Sequence, residues 1–301
     1  MTQPPPLFDE ALRRRRLARA AARGSEALLS LHRFVADRLA ERLAEINRAF
    51  PRVALTAPLA APYKAALAGR FGVETIEVSP EAAGDAAGDA VGDDDAAGED
   101  AGDAARYDLH LSALDLHGLN DPIAALTKAR LRLKPDGLLM AALFGGDSLK
   151  ELRLSLAEAE AAVEGGLSPR VAPMGEIREL GALLQRAGLA MPVADSETLT
   201  LWHESPLHLM REIRAIGETN ALSDRRRNAL RRATLGQALA RYADLGARKD
   251  GKTPATVELV TLTGWAPAAS QPKALRPGSA ASRLADALGA EERPAGEKAG
   301  R

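Results

Sequence analysis

The segment from Ser112 to His117 holds the best candidates for acid–base chemistry. It reads Ser112-Ala-Leu-Asp-Leu-His117 and follows a predicted strand at residues 107–112, so Asp115 and His117 would lie just past a strand end. An imidazole titrates near neutral pH and can act as a general base or orient a nucleophile. The alternative is a hydrogen-bonded structural histidine. We name His117 as a candidate catalytic residue and Asp115 as a second one.

A further candidate is Glu77, in Thr75-Ile-Glu-Val78 at the end of a predicted strand over residues 73–78. In nucleotide-binding α/β sheets an acidic residue at such a strand end accepts hydrogen bonds from ribose hydroxyls. A single glutamate in this position can equally be a solvated acid at the sheet edge. The sequence leaves both interpretations open.

Composition and spacing remove other kinds of chemistry. The 301 residues contain no cysteine, which excludes disulfides, thiolate metal sites, iron–sulfur clusters and cysteine nucleophiles. His203 and His208 are five residues apart and do not share a helical face. The sequence has no HExxH motif, nucleophile elbow or P-loop. We therefore predict no metal site and no hydrolase or P-loop NTPase activity.

Charge is distributed unevenly along the chain. There are 40 basic and 41 acidic residues, a formal net charge of -1. Residues 80–105 hold nine of the acids, no base, and otherwise almost only alanine and glycine, so we expect a disordered acidic insertion. The remaining chain is basic. Aromatic residues make up only 3% of the sequence, so the arginine clusters at 13–16 and 225–232 favour a protein partner over nucleic acid.

Strand and helix patterns alternate along the chain, which predicts an α/β fold with a mainly parallel sheet. Ser25 and Asp121 are expected to cap helices. The predicted strands are 53–55, 73–78, 107–112, 138–144, 196–201 and 257–263, with a turn at 134–137. The predicted helices are 25–50, 64–71, 121–133, 148–164, 176–187, 206–216 and 224–245.

The same patterns suggest an organisation in three parts. Residues 1–50 form an N-terminal helical region, residues 51–265 the main domain, and residues 266–301 a flexible tail. Helical additions are expected at about 148–190 and 205–248. No apolar run approaches the ~20 residues of a membrane-spanning helix. The N-terminus is rich in alanine and arginine like a transit peptide, but it carries Asp9 and Glu10, and we expect a cytoplasmic protein.

Several motifs in a fixed order resemble a known family. They are Phe144-Gly-Gly-Asp-Ser-Leu-Lys-Glu-Leu-Arg153, Glu164-Gly-Gly-Leu-Ser-Pro169, Gly217-Glu-Thr-Asn220, Asp250-Gly-Lys-Thr-Pro-Ala-Thr256 with Gly264-Trp265, and the N-terminal Phe8-Asp9 before basic residues. The chain resembles the class I S-adenosylmethionine methyltransferase-like family, in the branch that includes a mitochondrial complex I assembly factor that hydroxylates arginine. It is also similar to malonyl-carrier-protein O-methyltransferase.

The resemblance implies a Rossmann-like sandwich of about seven strands, mainly parallel with an antiparallel last pair, and a helical cap inserted before the last strand. It implies S-adenosylmethionine as the cofactor and a protein or carrier-linked substrate. It also places His117 on a histidine of the family, and Gly118 where relatives carry tryptophan.

One loop departs from the family's pattern. The family has an acid followed by alternating glycines, whose backbone amides approach the cofactor. Here the segment reads Ala54-Leu-Thr-Ala-Pro-Leu-Ala-Ala-Pro-Tyr63. Superposition puts Thr56 on the acid and Pro58, Ala60 and Pro62 on the glycines, so Thr56, Ala60 and Glu77 are the implied cofactor-binding residues. Proline has no N–H and a fixed φ, so this loop lacks two of the three amides.

Two hypotheses follow. The first is an S-adenosylmethionine-dependent enzyme in which Glu77 holds the ribose and a cleft is open above residues 57–62. The second is a non-catalytic assembly factor that keeps the fold, with Pro58, Leu59 and Pro62 filling that cleft. The oligomeric state is not predicted.

Overall fold

The computed structural model describes residues 5–79, 105–246 and 250–272, together with Asp286, Leu288 and Gly289. The predicted acidic insertion lies outside the described residues except for Ala105, as does most of the predicted tail. The chain divides into two compact units, Met1–Pro267 and Ala268–Arg301. In the second unit the backbone N–H of Ala268 donates to the side chain of Gln271. The first unit contains the sheet and the candidate site.

The first unit is built around a mixed sheet of six described strands. They are β1 Arg52–Thr56, β2 Thr75–Val78, β3 Tyr107–Ala113, β4 Leu133–Phe144, β5 Ala190–His203 and β6 Thr253–Trp265, in the order β2-β1-β3-β4-β6-β5. The first four are parallel, and β6 is antiparallel to both of its neighbours. The predicted mainly parallel α/β fold is confirmed, with six strands in the described part of the chain and not about seven.

The strand order reverses between β1 and β3. The chain leaves β1 to form β2 on one side, and β3 lies on the other side. In open α/β sheets a ligand crevice lies beyond the carboxyl ends of the strands at such a switch point. Thr56 ends β1 and Ala113 ends β3, so the segments that follow them form this edge.

Eight α-helices surround the sheet in the described residues. They are α1 Glu10–Arg23, α2 Glu26–Ala44, α3 Ala61–Leu67, α4 Pro122–Arg132, α5 Lys150–Glu164, α6 Ile177–Arg186, α7 Pro206–Ala215 and α8 Arg232–Asp244. Ser25 and Asp121 cap α2 and α4 as predicted, each by accepting a backbone N–H. None of these helices is long and apolar enough to cross a membrane.

The core lies in three layers of apolar contacts. On one face of the sheet, α2 and α3 bury Val35, Leu39, Leu43 and Leu67 against β1 and β3. On the other face, α4 and α6 bury Leu126, Leu180 and Leu184 against β3, β4 and β6. The helices α5, α7 and α8 form a separate cluster around Leu152, Leu156, Leu209 and Tyr242, which corresponds to the predicted helical cap.

Several predicted boundaries are wrong. The helix predicted over 25–50 ends at Ala44, and the one predicted over 64–71 spans Ala61–Leu67. The helix expected over 224–245 begins only at Arg232, and the preceding Arg225 and Arg226 pair with Asp9 and Glu164. β4 starts at Leu133 and includes the predicted turn at 134–137. β5 is longer than the predicted strand because it pairs along the whole of β6. The predicted division into domains stays a prediction.

A loop at residues 216–223, here called the strap, crosses α1 and fixes it to the rest of the fold. Phe8 and Leu222 form an antiparallel bridge, and the Arg16 guanidinium donates to the carbonyls of Thr219 and Asn220. Gly217 has a φ of +86°, and a Cβ at this position would lie 3.1 Å from the Leu17 Cα of α1. Glycine is therefore required both for the turn and for the close approach.

The strap predicts a specific cost for Gly217→Ala. Left-handed backbone costs alanine about 1 kcal/mol, and contact with the α1 backbone adds roughly 1–2 kcal/mol. The matched control is Gly251→Ala, where φ is +79° and a Cβ would have no neighbour within 4 Å. Urea unfolding should show the larger loss for Gly217→Ala, and equal losses in the two variants would contradict the packing argument.

Candidate functional site

The buried guanidinium of Arg13 is the centre of the site beyond the carboxyl end of β3. Its side chain is only 6% exposed. Nη1 lies 3.2 Å from Asp115 Oδ1, and Nη2 donates to the Leu114 carbonyl at 3.1 Å and lies 3.2 Å from Glu218 Oε1. Arg13 thus joins α1, the segment after β3 and the strap through one side chain.

His117 is the fourth member of this cluster, which we call the Arg13 cluster (Arg13, Asp115, His117 and Glu218). Its Nε2 lies 3.3 Å from Arg13 Nη2 and 3.4 Å from Glu218 Oε1, and its ring packs edge-on against Phe144. Burial would raise the pKa of Glu218, but the Arg13 charge and His117 lower that pKa to about 2. The cluster therefore holds a carboxylate ionised inside the protein.

Gly118 makes room for Arg13. A Cβ at position 118 would lie 2.1 Å from Arg13 Nε, far inside contact distance. The tryptophan that the family resemblance places here cannot coexist with the Arg13 side chain in this position. The buried position of Arg13 therefore depends on having glycine, and not tryptophan, at position 118.

Thr56, the last residue of β1, contacts the neighbouring strand β3. Its Oγ1 lies 3.3 Å from Nε2 of His110, which is a β3 residue. Burial lowers the pKa of His110 to about 4, so this imidazole is neutral at physiological pH. Thr56 is thus part of a small, partly buried polar pair at the switch point.

The loop after Thr56 lacks two backbone donors, because Pro58 and Pro62 have no N–H. Ala60 precedes α3, makes no side-chain cap, and its carbonyl accepts the N–H of Lys64. Pro62 stands in the first turn of α3 without an N–H. Tyr63 is buried and holds α3 through its hydroxyl, 2.9 Å from Nδ1 of His32. These contacts hold the loop in place, and its remaining consecutive N–H groups are those of Leu59, Ala60 and Ala61.

The carboxylate of Glu77 is already held by other side chains. The Tyr107 hydroxyl donates to its Oε2 at 2.6 Å, Arg106 Nη2 donates to the same oxygen at 2.9 Å, and Arg52 Nη2 lies 3.5 Å from Oε1. The Tyr107 hydrogen bond and the two arginines lower the pKa of Glu77. These partners come from the starts of β1 and β3, the end of the sheet opposite to the crevice.

These positions differ from the arrangement of S-adenosylmethionine-binding residues that the family resemblance implies. The amides expected at two glycine positions are absent, Thr56 contacts His110, and Glu77 is paired with arginines. Asp115 and His117 are brought together by Arg13, whereas no described contact links them to Thr56, Ala60 or Glu77. Each of the five remains a candidate site residue, but the structure does not assemble them into one site.

A cavity of about 220 Å³ lies beside His117. Its lining is mainly apolar, with Phe8, Leu116, Met174 and Leu180 among the residues and Glu179 as the charged one. Ligand pockets typically measure ~300–1,000 Å³, so this cavity suits only a small group. A second cavity of about 590 Å³ lies at Gly146, Arg153, Glu176 and Glu258. Neither cavity is lined by residues 56–62.

Two of the motifs that carry the family resemblance bind each other. Gly145 donates to the Glu258 carbonyl, and a Cβ on Gly145 would clash with the Glu258 side chain. Ser148 Oγ accepts the N–H of Glu258, and Glu151 accepts the N–H of Thr256. These residues attach α5 to β6, which is a structural role.

Sequence reasoning missed Arg13 and Glu218 as site residues. Arg13 stands in a run of four arginines, and the other three are more exposed. The sequence therefore does not show which of the four is buried. Glu218 lies inside the Gly217-Glu-Thr-Asn220 motif, which was the one available signal. Their pairing spans 205 positions of the chain and is visible only in the fold.

The cluster predicts the effect of Gly118→Ala. The added methyl would displace Arg13 and leave the Glu218 charge buried without its partner, which costs about 3 kcal/mol. Gly166→Ala is the control, because a Cβ there meets nothing within 4 Å. Unfolding free energies should fall for Gly118→Ala only. When Gly118→Ala is added to the Arg13→Ala variant, it should cause no further loss of unfolding free energy. If the losses from the two substitutions simply add, the contact between Arg13 and Gly118 is contradicted.

The lowered pKa of Glu218 predicts a pH dependence. A carboxylate with a depressed pKa in the folded state stabilises the protein above its unfolded pKa of about 4.5, and the stability is lost as the pH falls toward 2. The loss should amount to roughly 3 kcal/mol for this group. Glu218→Gln should flatten the pH dependence in that window, whereas Glu26→Gln, on an exposed residue, should leave it unchanged. An identical slope in both variants would refute the assignment.

Comparison with known proteins adds the evolutionary context. The chain is 38% identical over 180 residues to the mitochondrial arginine-hydroxylase NDUFAF5 of Danio rerio, which covers 60% of this chain and 56% of that protein. It is 39% identical over 162 residues to malonyl-(acyl-carrier protein) O-methyltransferase of Laribacter hongkongensis, which covers 54% and 52%. The chain therefore spans about half the length of these curated relatives.

No protein-family model matches the sequence. The solved structure of the YcgJ protein of Bacillus subtilis superposes with a TM-score of 0.45 at 14% identity, covering 78% of this chain and 99% of that one. That likeness adds nothing to the topology described above.

The predicted cytoplasmic location is contradicted by these relatives, because the NDUFAF5 proteins are named as mitochondrial. The prediction relied on two acidic residues near the N-terminus. In the structure Asp9 caps α1, and Glu10 accepts the N–H of Asn120, so both have roles in the fold. Their presence was therefore no argument about targeting.

These alignments confirm the resemblance that the sequence motifs indicated. The chain is homologous to the NDUFAF5 arginine-hydroxylases over 180 residues and to the malonyl-carrier-protein O-methyltransferases over 162 residues.

Proposed function

We propose that this chain is a non-catalytic, protein-binding factor on a methyltransferase-like fold, acting in the assembly of a respiratory complex. The observation that carries the proposal is the state of Glu77. Its carboxylate takes hydrogen bonds from Tyr107 and Arg106 and lies close to Arg52, so a ribose would have to compete with these partners. A charge already satisfied by two arginines has little to gain from two neutral hydroxyls.

The loop after β1 supports the same conclusion independently. A cofactor carboxylate is normally held by backbone amides at a glycine loop and a helix N-terminus. Here Pro58 and Pro62 supply no N–H, and α3 has only seven residues. Its orientation is fixed by the contact of Tyr63 with His32.

The Arg13 cluster completes the argument. His117 is 5% exposed and lies beneath α1, with Nε2 close to both Arg13 and Glu218. A general base must reach the proton that it removes, through at most one water. His117 also borders the cavity of about 220 Å³, which suits only a small group. On this proposal the histidine joins α1 to the strap, which is the structural alternative that its sequence context left open.

A second candidate function is an S-adenosylmethionine-dependent enzyme that modifies a protein or a carrier-linked substrate. The similarity to the malonyl-carrier-protein O-methyltransferase of Laribacter hongkongensis favours it. The alignment includes only about half of that enzyme, so the activity does not transfer with the sequence. This candidate requires Glu77 to leave its arginine partners.

Calorimetric titration with S-adenosylmethionine separates the two functions. We expect no heat of binding and no thermal shift for the wild-type chain at about 1 mM ligand. That result would mean that the dissociation constant lies above this concentration. Binding with a micromolar dissociation constant that is lost in Glu77→Ala and kept in Glu74→Ala would overturn the proposal. Glu74 is the matched control, an exposed acid three residues away.

A restored loop provides the positive arm of the same experiment. The variant Thr56→Asp/Pro58→Gly/Ala60→Gly/Pro62→Gly re-creates the residue types of the family's loop. Arg106→Ala is added because it removes one of the three partners of Glu77. The combined variant should gain measurable affinity if the loss of these groups explains why the wild type does not bind. Circular dichroism checks that the variant is folded.

A further inference from the structure

The exposed side of α1 carries arginines that the fold does not use. Arg14, Arg15, Arg19 and Arg23 are all exposed, and none forms an ion pair with a carboxylate in the described part of the chain. Elsewhere arginines are commonly paired, for example Arg38 with Glu41 and Arg48 with Asp136. Unpaired like charges on one short helix repel each other, so some compensation from outside is favourable.

Three of these arginines form a continuous row along the helix. Arg15, Arg19 and Arg23 follow each other at intervals of four residues, so they lie on one side of the helix. Four residues of α-helix rise about 6 Å, and the ridge from Arg15 to Arg23 is about 12 Å long. We call these three residues the arginine ridge.

The border of the ridge is also positively charged. Arg16 points to the strap and donates to the carbonyls of Thr219 and Asn220, not to a carboxylate. Its burial, and then the charges of Arg225, Arg19 and Arg214, lower the pKa of Arg16, while Asp9 opposes this. Asp9 itself is paired with Arg225 at 3.1 Å. Three arginine charges and one acid therefore act on Arg16.

The helix cannot use this surface to enter a membrane or to stack bases. Its apolar residues Leu17 and Ala20 are buried against the strap, so no apolar side remains for insertion between lipids. The nearby aromatic residue, Phe8, is buried as well. Base stacking requires exposed aromatic rings, and α1 contains none. Charge complementarity is the property that this surface offers.

We propose that the arginine ridge docks an extended acidic segment of a partner protein, with carboxylates on alternate residues. Alternate residues of an extended chain lie on one side at a spacing of about 6.6 Å, close to the ~6 Å between successive ridge arginines. Three carboxylates in that pattern face three guanidiniums in register. This inference rests on the proposed function, and it names the surface and the partner chemistry.

The test is a binding titration with the full chain and a labelled peptide. The probe has about ten residues and alternates glutamate with threonine, a composition that favours the extended form. A second peptide of the same composition places the glutamates in adjacent pairs. Fluorescence anisotropy should show tighter binding of the alternating peptide, with an affinity that falls as salt is added. Equal affinities would overturn the registered arrangement.

Matched variants separate the ridge from overall charge. Arg15→Gln/Arg19→Gln/Arg23→Gln should weaken binding of the alternating peptide roughly tenfold. The control Arg70→Gln/Arg178→Gln/Arg186→Gln removes the same charge from exposed arginines on other elements and should bind like the wild type. An equal loss in both triple variants would mean that only net charge matters, and would overturn the proposal.

Other occupants are distinguished in the same assay. Tighter binding of duplex DNA or of anionic phospholipid vesicles than of the peptide, lost in the ridge variant, would assign the surface to those ligands. If replacing the nine acids of residues 80–105 with amides tightens peptide binding to the ridge, the chain's own acidic segment is the occupant. Each result overturns the partner proposal. None depends on S-adenosylmethionine titration, so failure here is distinguishable from failure of the proposed function.

Discussion

The buried charge of Arg13 is the interaction on which the arrangement of this protein depends. A guanidinium that is 6% exposed loses most of its hydration, and the cost is offset only if every partner is in place. Asp115, Glu218 and the Leu114 carbonyl come from two elements far apart in sequence, and all of them face a helix near the N-terminus. Gly118 is also required for this arrangement, because it leaves space for the Arg13 side chain.

The elements of the sheet were largely predictable from the sequence, since apolar runs and period-two alternation report burial directly. The stripe from Leu28 to Leu43 likewise predicted α2. The helix α1 and the late start of α8 were not predictable in this way. Their bounds depend on ion pairs such as Arg225 with Asp9, which join positions 216 residues apart. Periodicity contains no information about such partners.

The candidate site was predictable in part for the same reason. The positions of Asp115 and Glu77 near strand ends followed from the pattern, but the direction of each side chain did not. Glu77 lies on the expected strand, yet its partners Arg52 and Tyr107 are at the starts of β1 and β3. A strand assignment fixes which face a residue lies on, and long neighbouring side chains then decide where its charge is satisfied.

The motifs that carry the family resemblance have roles in the fold that do not depend on catalysis. Gly145, Ser148 and Glu151 attach α5 to β6, and Gly217 lets the strap approach α1. Each contact maintains the fold whether or not a cofactor is bound. Sequence identity of 38% to an arginine-hydroxylase therefore measures a common scaffold first. The proposed loss of chemistry rests instead on the groups at the strand ends, where Pro58, Pro62 and the arginine-bound Glu77 differ from the pattern that the family resemblance implies.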